Sequence, residues 1–138
     1  MLLVRTTLGP STIDGAGIGL FAAEPIAAGR MVWRYDALID HRIPLEQAVP
    51  RAAVDPIFRA LLSRCAYIGH SDPTTYLWSG DDGRFMNHSP TPNLQVDPDD
   101  ESTVALRDIA AGEELFVDYD GFCAADPVAD WLPGDGVG

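Results

Sequence analysis

A mainly β domain with a short helical insert is the fold class this sequence predicts, and three observations carry the prediction. Brief β-branched, aromatic and apolar runs recur between turn residues, as short strands do. One interior stretch places apolar residues at helical spacing. Eleven prolines and 13 glycines in 138 residues oppose a helical bundle. With 46% hydrophobic and 22% charged residues the chain has enough apolar surface to fold, and its length predicts a single domain over 1–138.

Taken in order, Gly15, Gly17 and Gly19 predict a tight turn running into Leu20, Phe21 and Ala22, after which Pro25 and Gly29 stop any helix. Met31 to Tyr35 reads as a strand. From 41 to 69 the pattern turns helical. Asp55 is placed to cap, Pro56 to occupy the first turn, and Ile57, Leu61, Leu62 and Cys65 to share a face, which predicts one short amphipathic helix. Thr74 to Trp78, Leu94 to Val96, Thr103 to Leu106 and Leu115 to Val117 read as short strands. The acidic run Asp97 to Glu101 reads as a solvated hairpin tip between two of them. Residues 124–138, rich in Pro, Gly and Asp but holding Trp131 and Leu132, are either a frayed tail or a lid.

Nine basic residues against 21 acidic ones give a formal charge of −12, which repels nucleic-acid phosphate and draws in a basic partner. All nine are arginine, and no lysine occurs anywhere, an absence that codon bias alone can produce. Cys65 and Cys123 are too few for a disulfide framework or a thiolate zinc cluster, so an intracellular setting is expected. The opening MLLVRTTLG is too short and too soon polar for a signal peptide, and no run approaches membrane-spanning length. A cytoplasmic location, without membrane or nucleic-acid partners, follows as an expectation.

Three segments hold the chemistry. Gly17-Ile-Gly-Leu-Phe-Ala22 fits the loose dinucleotide pattern G-x-G-x-x-A, but Pro25 and Gly29 interrupt the helix such a site needs, and no acidic residue closes a βαβ unit. A nucleotide-dependent oxidoreductase is thereby set aside. What remains is a plain tight turn or a backbone that something approaches closely. Arg84 to Ser89, followed by Pro92 and Asn93, sets an amide, an imidazole and a hydroxyl in series, groups that bond either a heterocycle's edge or the backbone of a polar turn. His41 and His70 show no ligand spacing with His88, so no catalytic metal is expected. Ala105 to Tyr119 holds a turn at 110–112, paired glutamates, and a strand ending in Asp118 and Tyr119, whose hydroxyl can reach into a cleft.

Together and in this order, GIGLFA, RFMNHSPTPN and GEELFVDY resemble the three motifs of the SET domain, the fold of many protein-lysine methyltransferases that use S-adenosylmethionine. The resemblance runs from Gly15 to Tyr119 and implies a β-clip fold of short strands with a knot-like crossing of the last two motifs. It also implies roles: Gly17, Ile18 and Gly19 presenting backbone to the cofactor, Asn87 and His88 bonding its polar groups or adenine, Phe85 lining the same pocket, and Tyr119 catalytic. Cofactor and substrate lysine would then enter from opposite faces of a narrow channel. Four departures stand out. Pro90 replaces the family's cysteine after N-H-S. The cysteine-rich zinc tail is missing, leaving Phe122 or Trp131 to close over the adenine. Tyr35-Asp36-Ala37 lacks the glycine of Y-x-G. Val96 and Val117 stand where bulkier aromatics often limit methyl addition, with Phe122 beside them in the expected channel. The expected function is protein-lysine N-methylation of a basic protein or peptide. The alternative is a non-catalytic module that binds the cofactor or a basic peptide.

Overall fold

The glycine-rich turn is where local chemistry first sets the path of the chain. Gly15 and Gly17 take φ of 78° and 74°, the left-handed region that only glycine enters freely. The reversal pairs β1 (Thr6–Pro10) antiparallel with β2 (Ile18–Ala22), Pro10 opposite Ile18 and Thr6 opposite Ala22. The computed structural model describes residues 1–97 and 101–128. Within them, the remaining strands are β3 (Met31–Arg34), β4 (His41–Pro44), β5 (Ala66–Tyr67), β6 (Thr75–Trp78), β7 (Asn87–His88), β8 (Leu94–Asp97), β9 (Ser102–Ala105) and β10 (Phe116–Val117). They form two three-stranded sheets, ordered β3-β9-β8 and β4-β6-β5, and a parallel pair of β7 with β10. The mainly β prediction holds, and the parallel pair brings the last two motifs side by side as the expected crossing requires.

The insert departs from expectation. Its ends are strands, and between them lie two helices, α1 (Leu45–Val54) and α2 (Pro56–Cys65). Asp55 closes the first and caps the second, its carboxylate accepting from the Ile57 and Phe58 amides at 3.1 and 3.0 Å. α1 buries Ala48 and Ala52 with Leu45 and Val49 packed beside them, an apolar stripe at helical spacing, but it also contains Pro50, a residue that argues against a helix. On α2 the expected face of Ile57, Leu61, Leu62 and Cys65 holds for Leu62 and the half-buried Cys65 and fails for the other two. Ile57 is 81% and Leu61 46% exposed, whereas Leu62 is fully buried, with Phe58 packed beside it. Spacing alone does not distinguish the two faces, because each offers apolar residues four apart. Packing against Ala48, Ala52, Ile68, Tyr76 and Val128 selects the inward one.

A larger core of Leu20, Ile26, Val32, Leu94, Ile109 and Leu115 lies under the other sheets. The expected hairpin tip is a hairpin end, β8 meeting β9 with Asp97 opposite Ser102. Residues 98–100 of the tip lie outside the described residues; at its end Glu101 is half-buried, sits at φ 55°, and pairs with Arg42 while its carbonyl accepts from the Tyr35 amide. After β10 the chain stays docked as far as it is described. Tyr76 donates its hydroxyl to Asp126 at 2.5 Å, and Val128 is fully buried. Trp131 and Leu132 lie outside the described residues. Among the described residues no helix is long and apolar enough to cross a membrane.

The register of α2 is directly testable. Leu62→Ala should cost about 2–5 kcal/mol in denaturant unfolding, and Ile57→Ala less than about 0.5 kcal/mol. Equal losses would place Ile57 in the core beside Leu62.

Candidate active site

The site begins with a buried carboxylate. Glu114 is 5% exposed and lies in the segment that bridges to β2 at Phe21, with the Leu115 amide donating to the Leu20 carbonyl at 2.8 Å. Its Oε1 accepts from the Thr12 amide at 2.6 Å and the Thr12 hydroxyl at 2.7 Å. Its Oε2 accepts from the Ser11 hydroxyl at 2.8 Å and from Asn87 Nδ2 at 3.2 Å. Burial opposes the charge, but these donors outweigh it and hold the carboxyl below the ordinary glutamate value. Gly19 is the residue that lets the carboxylate in, since a Cβ there would stand 2.7 Å from Oε2 and 3.2 Å from the Ser11 Cα.

Asn87 and Asn93 extend this contact to the neighbouring strands. Asn87 Nδ2 also donates to the Ile18 carbonyl at 3.0 Å, which ties β7 to the glycine segment. Asn93 is buried, donates to the Glu114 carbonyl and accepts from the Phe116 amide, both at 2.8 Å. Thus a side chain, in place of a strand, satisfies the backbone on either side of Leu115.

Tyr119 follows β10 directly and is fixed at both ends. Its amide donates to His88 Nδ1 at 3.0 Å and its hydroxyl donates to the Met86 carbonyl at 2.5 Å. A His88 that accepts through Nδ1 carries its neutral-state proton on Nε2, where it can donate. Burial, with a smaller contribution from Cys123, pushes the Tyr119 phenol up to about 12. Beside it opens a cavity of about 300 Å³, whose walls include Tyr67, Leu77, Met86, Val96, Val117 and Phe122. Phe122 meets Tyr67 and Tyr119 edge-on, at centroid distances of 5.1 and 5.9 Å. Both thiols are free and reach this cavity, and burial pushes that of Cys123 up to about 12.

Two groups of residues therefore form around Tyr119. Val96, Val117 and Phe122, the residues expected to line the channel, share the cavity wall. Gly17, Ile18, Gly19, Asn87 and His88 lie outside that wall, joined by the Asn87 bond to Ile18 and the pairing of β7 with β10. Phe85 belongs to neither group. Its ring packs toward the larger core with the Arg84 guanidinium 4.6 Å from its centroid. Phe122 is a buried part of the cavity wall. Trp131 is outside the described residues. Sequence reasoning missed Tyr67, whose phenol burial also raises, and the role of Glu114, whose partners Ser11 and Thr12 are 103 and 102 residues away.

Comparison with known proteins gives one family. A family model described as SET domain matches residues 17–120. The histone-lysine N-methyltransferase SETMAR of Rattus norvegicus is 34% identical over 123 residues, covering 76% of this chain and 36% of that protein; the chain thus spans little more than a third of that relative. Among solved structures, the ctPRC2 complex in an autoinhibited conformation bound to S-adenosylmethionine is 25% identical with a TM-score of 0.66, covering 94% of this chain and 16% of that one. The complex comes from Chaetomium thermophilum, where it is the Polycomb Repressive Complex 2. The Neurospora SET domain protein DIM-5, a histone lysine methyltransferase, is 23% identical over 86% of this chain and 53% of its own, and at a TM-score of 0.60 it shares the fold.

The surroundings of Tyr119 predict a phenol protonated throughout the neutral range. The difference in 295 nm absorbance between wild type and Tyr119→Phe should show its ionisation only near pH 12. A step near the ordinary value of 10 would contradict the part-buried, carbonyl-bonded hydroxyl.

Proposed function

Because the chain belongs to the SET domain family, we propose that it transfers a methyl group from S-adenosylmethionine to a lysine amine of a basic protein segment, with Tyr119 at the point of transfer. The observation that carries this reading is that Tyr119 touches both groups of residues. Its amide is held by His88, while its ring and hydroxyl face the cavity of Val96, Val117 and Phe122.

The donor set suits the cofactor. Both Asn87 N–H groups point at protein acceptors, so the side chain offers a ligand its Oδ1, an acceptor for an ammonium or an exocyclic amine. His88 offers Nε2–H as a donor, and the backbone of Gly17, Ile18 and Gly19 stands beside them with Ile18 half exposed. When bound, S-adenosylmethionine supplies a methyl carried on a positively charged sulfur.

The chain's own residues have two tasks. A lysine amine with a reference pKa near 10.4 costs about 4.6 kcal/mol to deprotonate at pH 7. The apolar walls of Leu77, Val96, Val117 and Phe122 disfavour its charged form and reduce that cost. Tyr119 keeps its own proton, which is committed to Met86, so it is not the base. Its remaining oxygen lone pairs, with the Met86 carbonyl, accept from the amine and aim the nitrogen lone pair, an alignment role. Val96 and Val117 leave room for an amine that already bears a methyl group. The formal charge of −12 favours approach of a basic segment.

Labelled-methyl transfer to basic proteins and peptides, read by mass spectrometry, tests this reading. Wild type should modify lysine and accept a monomethylated lysine. Tyr119→Phe should lose about 100-fold in turnover while its S-adenosylmethionine affinity stays within about threefold. Label on arginine would overturn the lysine assignment. Cofactor binding without any transfer would instead identify a non-catalytic module.

A further inference from the structure

Glu114 takes no part in the chemistry above, yet its carboxylate bonds Asn87 and lies against Gly19, two of the residues expected to surround the cofactor. We infer that Glu114 is a positioning residue for cofactor binding: its carboxylate decides which way the Asn87 amide faces and holds the turn before Gly17 against it. The inference rests on the reading that residues 17–19 and 87–88 hold S-adenosylmethionine.

The argument is one of donors and acceptors. Asn87 stands between two acceptors, the Ile18 carbonyl and Glu114 Oε2, so its nitrogen must face them and its oxygen must face away. Every group on the Glu114 carboxylate is a donor. The Ser11 and Thr12 hydroxyls could reverse, but the Thr12 amide and the Asn87 amide nitrogen cannot. A glutamine at 114 has one oxygen and one nitrogen to offer. With its oxygen toward Thr12, its nitrogen faces that of Asn87, and Asn87 must turn or withdraw. With its oxygen toward Asn87, its nitrogen faces the Thr12 amide, and the turn must open. Either way the glycine segment or the Asn87 acceptor moves. Tyr119 is anchored separately by His88 and Met86 and stays in place.

A residue that only supported the fold would not discriminate between binding and turnover. Kinetics of Glu114→Gln well below its unfolding temperature make the distinction, with Leu62→Ala in the other core showing what general loss of stability does. The KM and Kd for S-adenosylmethionine should rise about tenfold in Glu114→Gln, with kcat within about twofold, and Leu62→Ala should leave both constants unchanged despite its lower stability. An unchanged KM in Glu114→Gln, or a fall in kcat alone, would overturn the inference. If Glu114→Gln does not fold, Ser11→Ala decides, since it loosens the turn while keeping the carboxylate: a rise of about threefold in KM supports the inference and no rise overturns it. Wild type that binds no S-adenosylmethionine would overturn the underlying reading and this inference with it.

Discussion

A carboxylate buried without a cation beside it is the constraint on which the arrangement depends. Removing a carboxylate from water costs several kcal/mol even after the protein relaxes. Each hydrogen bond to a charged group returns about 1.5–3 kcal/mol, so the donors from Ser11, Thr12 and Asn87 together offset that cost. That requirement draws together residues from the beginning, the middle and the end of the chain. It also accounts for Gly19, where any side chain would occupy the space the carboxylate fills. The parallel pairing of β7 with β10 is then a consequence, because Asn87 and the segment after Glu114 are already adjacent.

Tyr119 gains its position from the same arrangement. It follows β10 within two residues, and its amide replaces a strand partner by bonding to the imbalance left at His88 Nδ1. One side of the tyrosine faces polar backbone and side chains and the other faces an apolar cavity. A polar cradle and an apolar channel are opposite electrostatic environments, and a single rigid residue between them allows each to keep its own character. The channel can then lower an amine's affinity for protons without weakening the hydrogen bonds on the far side.

How much of this could be read from the sequence depended on whether the signal was local. The glycine turn, the cap at Asp55 and the short strands were legible because φ preferences, side-chain-to-backbone bonds and β-branched runs act within a few residues. The first helix was hidden because Pro50 stands inside its stripe of Leu45, Ala48, Val49 and Ala52, and the face expected on the second took in the exposed Ile57 and Leu61 beside the buried Leu62 because they fit the spacing as well as Phe58 does. Glu101 was read as solvated because Arg42, its partner, is 59 residues away. At the site, Tyr119, Asn87 and His88 stood out by motif. Glu114 stood in a motif too, but without a role, because nothing near it in sequence reveals that Ser11 and Thr12 will cover it. Phe85 was grouped with its motif neighbours, although the ring packs toward the core and the Arg84 guanidinium lies over it.

The account's central claim is that cofactor and substrate meet at Tyr119 from opposite sides. A crystal structure of the chain with S-adenosylhomocysteine and a lysine-containing basic peptide tests it most directly. The account predicts the cofactor product against residues 17–19, Asn87 Oδ1 and His88 Nε2, and the lysine side chain in the cavity of Val96, Val117 and Phe122, with the Tyr119 hydroxyl between them. Both molecules on one side of Tyr119, or the lysine outside that cavity, would contradict it.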